Sequence, residues 1–158
     1  MNIKAAQLVA LVTFASATLL APKDASAVYN YNYGGIGCEA LFEYDDDSFL
    51  RSGYGRKNNL TRSMWARCPV IKHRFDNDGV NTSYVTVNHT QYGTSRCHLI
   101  ASDYAGQVGK SNSATRTGSG LLVITLPPLS AYHDGFYDLW CWIAPGAEIR
   151  SYRIAERD

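Results

Sequence analysis

Two alternating runs hold the residues best suited to chemistry. In 94–101, Cys97 and Leu99 fall on one side of the alternation while Arg96 and His98 fall on the other. In 136–143, Tyr137, Leu139, Cys141 and Ile143 share a side against Phe136, Asp138, Trp140 and Trp142. Successive side chains of a strand point to opposite faces, so if Cys97 and Cys141 join neighbouring strands on the core side, Trp140, Trp142, Arg96 and His98 must gather on the reverse face. Two tryptophans two residues apart make a flat apolar platform. With a guanidinium and an imidazole beside it, that platform suits sugar rings: ring faces stack on the indoles and hydroxyls meet the polar groups. Large apolar residues are ordinarily covered by core, loop or partner, whereas exposure of such a patch marks an interaction site. These four residues are therefore the candidate ligand-binding set, with carbohydrate or another surface protein as the partner.

The elements that must position them are strands. Period-two patterning dominates after residue 38 and helical periodicity is hard to find. Cys38, Ala40, Phe42 and Tyr44 share one face of a first expected strand that stops at Asp45, Asp46 and Asp47. Residues 52–59 are turn chemistry, and 60–68 read as a strand with Met64, Ala66 and Cys68 on one face. Pro69 lacks a ladder donor, which puts that strand end at an edge or on its way out of the sheet. Asp76, Asn77, Asp78 and Gly79 form a turn signal before strands at 82–90 and 94–101. Residues 111–120 read as a polar Ser/Thr/Gly loop with at most a short strand near Thr115. Residues 121–126, apolar on both faces, read as a central strand ended by Pro127 and Pro128, and further strands follow at 136–143 and 148–155. About seven or eight short strands separated by Gly, Pro and Asn turns predict an all-β, antiparallel β-sandwich, immunoglobulin-like or jelly-roll Greek key.

Four cysteines allow three pairings, and spacing alone does not choose among them. Each lies on the apolar face of its strand. Adjacency of sequential strands favours Cys38 with Cys68 and Cys97 with Cys141, so two disulfides are expected. No CxxC motif accompanies them, and Cys97 and His98 point to opposite faces, which argues against zinc.

The first 27 residues have the layout of a secretory signal peptide: Lys4, a long apolar run, then Ala25-Ser26-Ala27, with Ala27 the expected last residue removed. That predicts an extracellular or periplasmic protein with no membrane span after cleavage, in an oxidising compartment where disulfides persist. The Tyr/Asn/Gly-rich stretch 28–37 is expected to be a flexible arm, or else a strand donated to a neighbour's sheet. Residues 38–158 are expected to form a single β-sandwich domain. Without the leader, thirteen basic residues balance thirteen acidic ones, which gives no steering toward nucleic acid. All eleven tyrosines and all three tryptophans lie beyond residue 27.

Other chemistry is weakly supported. Gly109-Lys110-Ser111 imitates the end of a phosphate-binding loop, but the opening glycine position is Tyr104. Asp45 to Asp47 and Asp76 to Asp78 offer oxygen ligands for calcium, yet Gly79 is misplaced for an EF-hand, and solvated turns are the simpler expectation. His73, His89, His98 and His133 stand beside no nucleophile motif. No cofactor and no catalytic residue is assigned.

The pattern Cys68-Pro69-Val70, Cys97-x-Leu99, Tyr137-x-Leu139-x-Cys141-x-Ile143-x-Pro145 and Ile149-x-Ser151-Tyr152-x-Ile154-x-Glu156 resembles a group of small secreted proteins of myxobacteria and other Gram-negative bacteria, mostly without assigned function. The resemblance spans Cys38 to Glu156 and implies a fold and an exported location, with no catalytic residue to carry over. Trp140, Trp142 and the Tyr/Asn arm depart from it. The function expected is a secreted or periplasmic non-catalytic binding module whose ligand the sequence does not identify, a polysaccharide on the aromatic face being the candidate the residues suggest. Its rivals are a structural component assembling by strand addition, and a hydrolase.

Overall fold

The computed structural model describes residues 28–71, 79–130 and 135–157. The leader, His73, His133 and residues 76–78 of the expected turn lie outside them. The chain is all-β, an antiparallel sandwich-like fold with two disulfides. Its strands are β1 (Val28–Gly34), β2 (Glu39–Ala40), β3 (Phe49–Arg51), β4 (Arg56–Asn58), β5 (Met64–Val70), β6 (Gly79–Ser102), β7 (Val108–Leu126), β8 (Leu129–Ser130), β9 (Phe136–Ile143) and β10 (Ala147–Arg157).

The organising element is the long antiparallel ribbon β6–β7. Its register breaks between His89 and Gly93, where β7 supplies Gly118 and Gly120 with positive φ, and the break divides the ribbon in two. Beyond the break, residues 96–102 of β6 pair with β9, which pairs with β5 and through it with β2. Before the break, residues 80–89 of β6 pair with β10, whose other edge takes β4 and then β1. The two halves share one core. Met64, Ala66, Cys68, Leu99, Leu139 and Ile143 come from the first half, and Val85, Val87, Ile124, Ile149 and Ile154 from the second. Removing that much branched apolar surface from water is the main stabilising term, about 25 cal/mol per Å² buried.

Cys97 and Cys141 are directly opposed on β6 and β9, bonded with their Cα atoms 4.1 Å apart. Cys38 meets Cys68 at the same Cα separation where β2 begins beside β5. These are the pairs expected from adjacency.

Several expectations are corrected. Residues 28–34 are no flexible arm: they pair residue for residue with β10, and the Tyr33 ring stacks on Tyr152 with centroids 4.9 Å apart. Tyr33 donates to the Ile71 carbonyl and Tyr152 to the Pro69 carbonyl, tying this margin to the end of β5. Burial raises both phenol pKa values above the ordinary tyrosine range. Alternating tyrosines had a ladder to join, and of the glycines that suggested looseness Gly35 serves close packing, as does Gly55 of the turn that follows. A Cβ on Gly35 would stand 2.0 Å from the Ile149 carbonyl oxygen, and one on Gly55 1.9 Å from the same atom.

The first expected strand is reduced to Glu39–Ala40, because Glu43–Ser48 coils into a 3-10 turn that buries Asp45 against Arg62. Asp45 is 1% exposed, so this acid does not belong to a solvated turn. Phe42 and Tyr44 stack on each other outside the core. Residues 82–90 and 94–101 belong to one strand, β6. The expected loop at 111–120 is strand throughout, held by the backbone ladder to β6. Residues 121–126 are not central: among the described residues β7 pairs only with β6, and Leu121 and Val123 are 60% and 47% exposed. Pro69 sits inside β5, past the reach of β2, on an open stretch of edge where a missing donor costs nothing in the ladder.

Candidate functional site

The outward face of the β5–β9–β6–β7 layer is a grid fixed by register. One row across it reads Trp65, Trp142, Arg96 and Thr115; the next reads Arg67, Trp140, His98 and Ser113. The four residues expected together, Trp140, Trp142, Arg96 and His98, are thus brought onto one face, with the Cys97–Cys141 bond on the opposite side of the same strands. All three tryptophans are partly exposed, neither sealed in the core nor free of their neighbours.

Trp65 was not among the expected residues. Its signal was present in the sequence, since it alternates against Met64 and Ala66 as Trp140 and Trp142 alternate against Cys141. What the sequence did not show is that β5 lies beside β9, which places Trp65 directly opposite Trp142. The Trp65 ring also tilts toward His98, with centroids 5.5 Å apart. Burial lowers the His98 pKa below the ordinary imidazole value, and the positive charge of Arg96 lowers it further. His98 therefore presents a neutral imidazole at neutral pH.

Two grooves flank the Trp65–His98 contact. The first, about 280 Å³, is walled by Trp65 and Trp142 with Thr94, Arg96 and Thr115. The second, about 430 Å³, is mainly apolar and lined by Leu41, Phe42, Trp65, Ile100 and Trp140, with His98 and Ser111 as polar groups. Arg96 donates through Nε to Thr115 Oγ1 at 3.1 Å, which fixes the plane of its guanidinium. Arg67 is spent within the protein, its Nε and Nη2 each 2.8 Å from Asp138 Oδ1. Chemically, this face offers flat apolar surface and hydrogen-bond donors. It presents no hydroxyl or carboxylate arranged as a nucleophile.

A serine–histidine pair does exist elsewhere. His89 Nε2 lies 2.9 Å from Ser95 Oγ, and its Nδ1 lies 3.0 Å from the Gly118 carbonyl, which assigns the proton to Nδ1 and makes Nε2 the acceptor of the serine hydroxyl. Ser95 also accepts from the Ala144 N–H. His89 is 2% exposed and Ser95 is fully buried, so no substrate reaches this pair, which stitches the bend of β6. A larger hollow, about 730 Å³, is lined by Glu39, Glu43, Asp46, Arg51 and Arg56, and Asp46 and Arg56 pair with each other across it. Among the described residues no cluster of three or more His, Cys, Asp or Glu is placed to hold a metal ion, and no helix is long and apolar enough to cross a membrane.

No family model and no curated protein matches the chain. Solved structures do. The chain is similar to the CBM36-1 domain of a multidomain xylanase from the hindgut metagenome of Trinervitermes trinervoides, with a TM-score of 0.52 and 10% identity, covering 80% of this chain and 96% of that one. The likeness is one of fold. TmCBM61, solved in complex with beta-1,4-galactotriose, aligns with a TM-score of 0.36 at 10% identity over 80% of this chain and 83% of that one.

Proposed function

We propose that this chain is an exported, non-catalytic binding module that takes a polysaccharide on the face built by Trp65, Trp140 and Trp142. The observation that carries the reading is the register: three indoles on two adjacent strands share one open face, with Arg96 and His98 on the next strand supplying polar groups beside them. Side chains two residues apart along a strand are spaced about 7 Å, on the scale of one sugar ring, so Trp140 and Trp142 suit successive rings of a chain lying along β9. The CBM36-1 domain is, by its name, carbohydrate-binding, and its fold likeness agrees with this reading. Two disulfides suit an oxidising location outside the cytoplasm.

Trp140→Ala, Trp142→Ala and Trp65→Ala should each keep the wild-type far-UV circular dichroism. Each should lose at least tenfold in retention during affinity electrophoresis through polysaccharide gels, by the usual cost of removing a stacked aromatic anchor. Undiminished retention of all three variants would remove the aromatic face from the account.

A further inference from the structure

The charge arrangement of the aromatic face says more about the ligand than its shape does. Neither groove is lined by an aspartate or a glutamate. Sugar hydroxyls are donors as well as acceptors, and a site built for a neutral sugar gains most from carboxylates that accept from them. This site is instead rich in donors.

Arg96 is the centre of that imbalance. Arg56, Arg62, Arg67 and Arg150 are each ion-paired to an acid, to Asp46, Asp45, Asp138 and Glu148 respectively. Arg96, like Arg116 and Arg153, has its Nε held by a neutral oxygen, here the Thr115 hydroxyl, so its plane is fixed by a partner that does not compensate its charge; of the three, Arg96 is the one that lines an aromatic groove. Arg96 lines the same groove as Trp65 and Trp142, on the β6 side of Trp142. A planar guanidinium beside Trp142, held at Nε by a neutral hydroxyl, keeps its two Nη groups for a carboxylate, which they can receive through two parallel hydrogen bonds.

We infer that the ligand is an acidic polysaccharide whose uronate carboxylate is received by Arg96 while its sugar ring lies against Trp142 and Trp65. This rests on the binding-module reading above and gives that same site its substrate class. His98, the other polar group of the face, stays neutral at neutral pH and supplies a hydrogen bond to a hydroxyl of the next ring.

The test is affinity electrophoresis of the protein through polygalacturonate and alginate, each beside its methyl-esterified form, with xylan, galactan and dextran sulfate as further gels. Esterification keeps the sugar ring and removes the charge. Wild type should be retarded by at least one acidic polymer and at least tenfold less by its ester. Arg96→Gln should bind acid and ester alike, and Trp142→Ala should lose both.

Equal retention by acid and ester, or an Arg96→Gln variant that still discriminates, would overturn the carboxylate assignment while leaving the aromatic reading intact. Retention by xylan or galactan alone would do the same, as would retention by dextran sulfate alone. Failure of wild type in every gel would overturn both.

Discussion

β6 carries two histidines with opposite situations. At its bend His89 is sealed, both ring nitrogens occupied by Gly118 and Ser95, and Ser95 is in turn held by the Ala144 N–H. Nine residues further on, His98 leans against Trp65 beside an arginine whose Nε is held by a neutral hydroxyl. At the bend, the His89 ring and the Ser95 hydroxyl are both satisfied inside the fold. The face is under-used, with donors oriented but lacking strong acceptors, and such incompletion is affordable only where a ligand or water completes it. A serine–histidine contact is therefore no sign of catalysis when both partners are buried, and a half-covered aromatic grid is the better indicator of contact with another molecule.

The severest way to separate the two regions is to remove the bond beneath the face. Changing Cys97 and Cys141 together to alanine opens a loop spanning 44 residues of sequence, and should lower stability by about 4 kcal/mol in urea denaturation. Polysaccharide retention per folded molecule should persist, because the register of β6 and β9 is also fixed by their ladder. A folded variant without retention would show that the platform depends on the bond. Next, His89→Leu leaves the Ser95 hydroxyl and the Gly118 carbonyl unsatisfied and should destabilise by about 3 kcal/mol, with ligand retention unchanged. His98→Ala should do the reverse, shifting the urea midpoint little and weakening retention.

A smaller effect tests the positioning of Arg96. Thr115→Val removes the oxygen that holds its Nε, and retention of the acidic polymer should fall by about threefold, the worth of one modest hydrogen bond, without loss of stability. The smallest is a pH effect. The folded pKa of His98 lies below the unfolded value of 6.5, so between the two the unfolded chain holds more protons and stability rises with pH. Acidification from 6.5 through the folded pKa should thus cost stability, while above 6.5 His98 contributes no slope. The groups facing His98 are Arg96 on its own strand and the Arg67–Asp138 pair across β9. Urea midpoints at about pH 7.5 and about pH 5 should differ less in His98→Asn than in wild type; an identical difference would remove His98 from the pH dependence.

Much of this was legible in the sequence because two-residue alternation states which side chains share a face. Cys97 against Arg96 and His98, and Cys141 against Trp140 and Trp142, needed only the assumption of adjacency. What alternation cannot state is which strands are neighbours, and so Trp65 was missed. It also fails where burial is not what makes the strand. β7 between residues 108 and 120 has almost no buried side chain, being held as the outer partner of β6, so its Ser/Thr/Gly run looked like loop. The converse error occurred at 121–126, where Leu121 and Val123 suggested a central position that an open margin contradicts. Asp45 escaped because its partner Arg62 is distant in sequence, and the same separation hid the pairing of residues 28–34 with the last strand.

That last pairing governs when the molecule can assume its shape. β1 has β10 as its ladder partner, Val28 opposite Arg157 and Gly34 opposite Ser151, and Gly35 and Gly55 both seat against the carbonyl of Ile149. Contacts joining the first and last parts of a chain close the longest loops and form late in folding. A partial chain lacking residues 151–157 offers residues 28–34 none of the ladder partners they have in the finished fold. The margin formed by β1 therefore cannot close until residues 151–157 have been made.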